Sequence, residues 1–245
     1  MKSIWMGLLS AAVMMAETPK AESLMDAYVA ATGGKEAYQA LKTQKMTATV
    51  EFVGQGLKGK SITWMDAKGN SRTVLELAGA GKIESGIKDG VSWESSAMQG
   101  TRLREGEEKE QNARMSQLGA IAQWREFTES AEVVGEEDVE GVACWKVRSK
   151  QKGVSGEGFS WIEKKTGLVK KSQMKMKSQM GEIPVETFVR EYRKEGGVLM
   201  PVVSEQKLGP MTMKTVVESV ETNVELPANA FDYPAEVSAL LAKKK

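Results

Sequence analysis

The strongest constraint on this chain is a two-residue alternation of apolar and polar side chains, interrupted by turn signals about every ten residues. In residues 43–53, Met46, Ala48, Val50 and Phe52 alternate with Thr47, Thr49 and Glu51. Successive strand side chains face opposite ways, so this is the signature of a half-buried strand. Ile62 and Trp64 lead into Lys68-Gly69-Asn70, and Thr73, Leu75 and Leu77 into Gly79-Ala80-Gly81. Ile83, Ser85 and Ile87 precede Asp89-Gly90, a hairpin dipeptide, and Val91 and Trp93 begin the return. Further strands are expected at 132–135 and 142–149 around an acidic loop, and at 158–163 and 168–178 around Lys164-Lys165-Thr166-Gly167. The series continues at 183–193, 198–207 and 211–222.

Helical spacing is confined to three stretches. Leu24, Ala27, Tyr28 and Ala31 mark one helix, ended by Gly33-Gly34, and residues 35–41 a short second one. Residues 106–127 read as a helix of about five turns, acidic at its start (Glu107, Glu108, Glu110), with Met115, Leu118, Ile121 and Ala122 along one side. Gly119 weakens it. The expectation is a mainly β chain of about ten or eleven strands and three helices, an all-β sheet, sandwich or barrel. No Pro/Ser-rich linker divides it, so one domain is expected.

The first sixteen residues stand apart. Lys2 precedes an apolar run from Ile4 to Met15, and charge and proline arrive after Ala16 with Glu17, Pro19 and Lys20. This order reads as a secretory signal peptide over 1–16, too short to span a bilayer comfortably, followed by a single domain over 17–245. No cysteine follows the run, so a lipid-anchored lipoprotein is not expected; the mature protein should be soluble and periplasmic. Loss of Lys2 takes the net charge from +1 to 0, leaving no long-range field for nucleic acid.

Composition narrows the chemistry. The chain has no histidine and one cysteine, Cys144. Imidazole bases, His-ligated metals, internal disulfides and thiolate-held clusters are therefore excluded. Serine–lysine pairs at S-x-x-K spacing occur at Ser85/Lys88, Ser149/Lys152, Ser172/Lys175 and Ser204/Lys207. The motif needs a helical turn, whereas Ser172 and Lys175 fall on opposite faces of an expected strand. The acids crowd into runs such as Glu107–Glu110 and Glu136–Glu140, which read as solvated surface and lack calcium-loop spacing. Residues 153–158 are glycine-rich, but a strand follows them rather than a helix, so no phosphate loop is expected. The reading is of a protein without catalytic residues, metal or cofactor.

Two features remain. Lys171, Lys175 and Lys177 share one strand face, opposite Leu168, Met174 and Met176. That face blunts edge-to-edge aggregation, or meets anionic lipid headgroups or an envelope protein. Eleven of the fifteen methionines follow residue 16, with Met174/Met176 and Met211/Met213 paired on strand faces and Met180 and Met200 nearby. Methionine suits both ordinary core and adaptable apolar surfaces.

Several segments taken in order resemble a known group. They are Ala30-Ala31-Thr32-Gly33-Gly34-Lys35, the hairpin around Gly86-Ile87-Lys88-Asp89-Gly90-Val91-Ser92-Trp93, the hairpin from Val134 to Cys144, and the Lys165-Thr166-Gly167-Leu168 turn. With the export signal, they are similar to outer-membrane lipoprotein-sorting proteins of LolA-like fold. The resemblance implies an unclosed antiparallel β-barrel around an apolar cavity, with covering helices, that carries or senses a lipid or lipoprotein acyl chain. On that basis Phe52, Trp64, Leu75, Met174, Met176 and Val189 are the expected cavity residues. The helix over 106–127 is the expected lid, with Met115, Leu118 and Ile121 inward. A carboxylate at Met176 should then abolish lipid uptake. The alternative is an envelope structural or interaction module with a filled core that presents the lysine face to an anionic partner. Nucleic acid is not an expected partner, and a monomer is expected.

Overall fold

The computed structural model describes residues 17–97, 99–178 and 181–243. Residues 1–16, read above as a signal peptide, Met180 and the last two lysines lie outside the described residues. Two helices open the described chain, α1 (Ala21–Ala31) and α2 (Gly34–Gln39). A first meander follows: β1 (Thr43–Phe52), β2 (Leu57–Asp66), β3 (Ser71–Leu77), β4 (Gly81–Lys88), β5 (Val91–Ser96) and β6 (Gly100–Leu103). A linking segment holds α3 (Gly106–Met115), a 3-10 turn (Ala120–Gln123) and α4 (Trp124–Phe127). The second meander comprises β7 (Thr128–Val139), β8 (Val142–Gln151), β9 (Gly158–Glu163), β10 (Val169–Ser178), β11 (Gly181–Glu195), β12 (Val198–Leu208) and β13 (Met211–Thr222), before α5 (Ala235–Lys243).

All thirteen strands form one antiparallel sheet, in the order β6-β5-β4-β3-β2-β1-β13-β12-β11-β10-β9-β8-β7. The two meanders join where β1 pairs with β13, placing Ala48 opposite Val217 and Val50 opposite Thr215. β6 and β7 are left at opposite edges, so the barrel is unclosed. The linking segment crosses between those edges, and α3 touches both β5 and β10.

Register separates two faces. On the inner face Ala48, Val202 and Val217 form one core, with Met46, Met200 and Val220 against it. Ala21 and Leu24 of α1 press on Val147 and Ile162 in another. The turn after α1 is seated on the β11–β12 hairpin, where the Leu199 amide donates to the Thr32 carbonyl at 2.8 Å. On the outer face polar pairs cross the strands, such as Lys45 with Glu221 at 2.8 Å and Thr47 with Ser219 at 2.7 Å. That face also carries a small core of Val139, Cys144, Trp161 and Phe188. α5 packs on β5 and β6, with Val237 fully buried.

The structure departs from the sequence reading in four places. Thirteen strands replace ten or eleven; β6, for example, carries no apolar alternation. The acidic run expected as a loop belongs to β7, because an edge strand can carry Glu136, Glu137 and Asp138 into solvent. The expected five-turn helix is broken after Met115. Gly119 adopts φ +72°, a left-handed conformation that a right-handed helix cannot continue through. Its missing side chain also admits the Tyr38 carbonyl oxygen, 3.2 Å from where a Cβ would stand. The third expected helix is thus α3, a 3-10 turn and α4, and α5 is additional.

Candidate functional site

Beneath the linking segment, on the inner face of β8–β10, lies a cavity of about 300 Å³. Its floor is set by small side chains at two successive inward-facing levels of adjacent strands: Ser149 opposite Gly158, and Ser160 opposite Ser172. Larger residues there would fill the space that these leave open. Met174 continues the floor along β10, and Met25 of α1 closes one side. The roof is apolar, made by Ala120, Ile121, Trp124 and Phe127, and the rim carries Met115 beside the polar Gln111, Arg114, Glu157 and Lys175. An apolar interior with a few polar rim groups is the usual build of a small-molecule pocket, at the lower end of the common size range of ~300–1,000 Å³.

Polar ties hold the roof down at several points. At the α1 end, Arg125 pairs with Asp26, and the Trp124 indole donates to the same carboxylate at 3.3 Å. The Arg125 hydrogen bonds hold the Asp26 carboxyl below the usual carboxylate range. At the β8 end, Arg114 donates to Gln151 Oε1 at 3.0 Å and to the Lys152 carbonyl. At the other edge, Arg102 and Arg104 of the β6 side interlock with Glu94 and Glu108, fastening the start of α3. Asn112 reaches the buried Ser92 hydroxyl at 2.9 Å.

Of the expected cavity residues, the structure brings Met115, Ile121 and Met174 to this space. Met115 is 57% exposed, so it sits at the rim rather than pointing fully inward. Leu118 is half-buried in the link beyond α3 and does not line the cavity. Met176 shares the inner face with Met174 but stands further along β10, opposite Ile183. Val189 is buried on the inner face of β11. Phe52 and Leu75 lie on the inner face of the first meander, away from this cavity. Trp64 is corrected outright: its register with Lys45 and Arg72 puts it on the outer face, because the inner set of β2 is Leu57, Gly59, Ser61 and Thr63. Sequence reasoning missed Met25, Trp124 and Phe127, and above all the serine floor. Small residues at matched positions of consecutive strands are the signal that could have found it.

The lysine face is matched by acids that the strands bring across. Lys171 pairs with Glu186 at 3.0 Å, Lys175 with Glu182 at 3.4 Å, and Lys177 with Glu182 at 2.7 Å and Glu107 at 3.2 Å. Among the described residues, no three His, Cys, Asp or Glu side chains are placed to hold a metal ion, and no helix is long and apolar enough to cross a membrane.

No family model matches the chain, and no curated protein sequence matches it. Solved structures do. A DUF1329 family protein from Desulfovibrio piger is 14% identical with a TM-score of 0.59, the match covering 89% of this chain and 100% of that one. A LolA superfamily protein from Nitrosomonas europaea is 10% identical with a TM-score of 0.56, covering 88% of this chain and 99% of that one. At these identities the likeness is one of fold alone. With its unclosed antiparallel barrel and helices over the inner face, the chain has a LolA-like fold.

Proposed function

We propose that the protein is a non-enzymatic periplasmic carrier or sensor that holds the acyl chain of a lipid or lipoprotein in the cavity under the linking segment. The observation that carries this reading is the apolar roof of Ile121, Trp124 and Phe127 over a floor of small side chains. Each buried methylene contributes about 0.8 kcal/mol, so a few methylenes suffice for binding without any reactive group. The LolA-like fold and the export-type N-terminus are in keeping with it. The alternative, an interaction module displaying Lys171, Lys175 and Lys177, has less in its favour, since each lysine already has an acid within 3.4 Å.

The test is uptake of a fluorescent fatty acid. Met174→Asp puts a carboxylate into the cavity floor and is expected to weaken binding by tenfold or more, about 1.4 kcal/mol. Met176→Asp, outside the lining, is expected to leave uptake near that of the unchanged protein, which moves the sequence-based expectation from one methionine to its neighbour on the same face. Equal uptake by all three proteins would sink the reading.

A further inference from the structure

The face that α3 turns toward the second meander is polar. Glu107, Gln111 and Arg114 follow one another at i, i+4 and i+7, a single stripe of the helix. Each reaches across. Glu107 accepts from the Ser155 amide and hydroxyl, both at 2.8 Å, and pairs with Lys177 at 3.2 Å. Gln111 donates from Nε2 to the Lys175 carbonyl at 3.0 Å and accepts from the Lys177 amide at 2.9 Å. Arg114 holds Gln151 and Lys152. α3 has no buried residue. On the side facing β10 it is fastened by bonds that another chain can replace, with little apolar burial to lose there, while Glu108 and Asn112 keep its other side tied to Arg102, Arg104 and Ser92.

What Gln111 covers is a strand edge. β9 pairs with β10 only as far as Phe159 opposite Gln173, whereas β10 continues beside β11 to the end of its length. Past Gln173, no strand among the described residues pairs with the other side of β10. The Gln111 carboxamide supplies there one donated and one accepted bond, as a neighbouring strand does. Gln111, Met174 and Lys175 also line the cavity, so the edge and the cavity adjoin.

We propose that this edge of β10, from Met174 to Lys177, is a docking site for a short extended peptide bearing a carboxylate, and that α3 covers it in the present state. The peptide adds to β10 as a strand, recognised through its main chain. Charge selects the acidic side chain. When α3 lifts off β10, Glu107 lifts with it, and Lys175 and Lys177 share the single acid Glu182. A peptide carboxylate then replaces Glu107 at Lys177 and Ser155. This site does not depend on what fills the cavity.

The probe is a fluorescein-labelled peptide of alternating threonine and valine with one central glutamate, titrated into the full chain by anisotropy. Gln111→Ala frees the edge and is expected to tighten binding about tenfold, because displacing α3 no longer costs its two main-chain bonds. Adding Lys177→Pro removes the outward N–H, a place where an edge tolerates proline, and is expected to abolish the gain. Replacing the central glutamate by lysine is expected to weaken binding about tenfold. Equal affinity for Gln111→Ala and the unchanged protein, or a gain that survives Lys177→Pro, overturns the proposal. Should the proline variant fail to fold, hydrogen exchange at the Lys177 amide of Gln111→Ala decides: peptide slows it if the edge is the site, and leaves it unchanged if not. Fatty-acid uptake by Met174→Asp reports on the cavity separately, so the two readings fail independently.

Discussion

Arg125 grips Asp26 with both arms of its guanidinium, Nη1 2.6 Å from Oδ1 and Nη2 2.5 Å from Oδ2, while its central carbon lies 4.2 Å from the centre of the Trp124 ring. One side chain therefore ties α1 to α4 and clamps the aromatic roof of the cavity. Both charged groups are at least half exposed, so the tie should add little to global stability. Its effect should be local.

Asp26→Asn is expected to speed hydrogen exchange across α4 and shift Trp124 emission, with the melting temperature nearly unchanged. The sign with pH follows from the lowered carboxyl of Asp26. A depressed folded-state value means that the stabilisation is full above the ordinary 3.8 and is lost as pH falls below it. The variant and its parent should differ at neutral pH and converge in acid. A difference that persists unchanged into strong acid, where the Asp26 carboxyl is protonated, would remove the ion pair from the explanation.

Gly33 joins the helices to the sheet by backbone contact. It lies at φ +127°, and a Cβ there would stand 2.8 Å from the Gly197 carbonyl oxygen. Gly33→Ala combines strain with a clash against backbone and is expected to cost about 1–3 kcal/mol in urea unfolding. Gly69, at φ +85° with open space around it, offers a control. Gly69→Ala should lose only the conformational part, about 1 kcal/mol. Equal losses would mean that close packing at Gly197 contributes nothing.

The tyrosines set the alkaline limit. Burial pushes Tyr28 up to about 12, raises Tyr192 further together with the neighbouring Tyr28, and raises Tyr38 and Tyr233 above 10.0. The unfolded chain loses these protons near 10 while the folded chain keeps them, so stability is full below pH ~10 and falls as pH rises above it. Absorbance titration should show no tyrosine of the folded protein ionising at its ordinary value. Tyr192→Phe leaves the Val169 carbonyl without its 2.8 Å donor and should cost about 1 kcal/mol at neutral pH. That deficit should narrow above pH ~10.

The outer core around Trp161 is a structural unit of its own. Trp161 is 2% exposed, beside the fully buried Cys144, with Lys146 and Lys171 at 4.9 and 4.5 Å from its ring. Trp161→Ala is expected to cost about 3–5 kcal/mol in denaturant unfolding. Lys171→Met keeps the apolar stem but removes the cation from Trp161 and Phe188, and should cost about 0.5–2 kcal/mol. A neutral outcome would reduce Lys171 to packing.

Much of the local structure could be read from residue order alone. Asp89 and Gly90 take φ +50° and +76°, the hairpin geometry that their dipeptide favours. Gly33 ends α1 as its position after Thr32 suggests. The helix break at Gly119 was less legible, since a glycine inside a helical pattern is tolerated unless something else uses its freedom. Here the Tyr38 carbonyl does. The parity of Trp64 was misread because the alternation in β2 is blurred by Gly59, Ser61 and Thr63, none of which advertises an inner face.

Strand positions, turns and the class of the fold thus follow from the sequence, because period, glycine and turn dipeptides act over a few residues. The cavity does not. Its floor and roof come from Ser149, Ser172, Ile121 and Met25, far apart along the chain, and they meet only once thirteen strands have taken one register. The same holds for charge. Lys177 stands in a run without acids, yet folding sets Glu107 and Glu182 beside it, because pairing across strands and the passage of α3 over β10 are decided by packing.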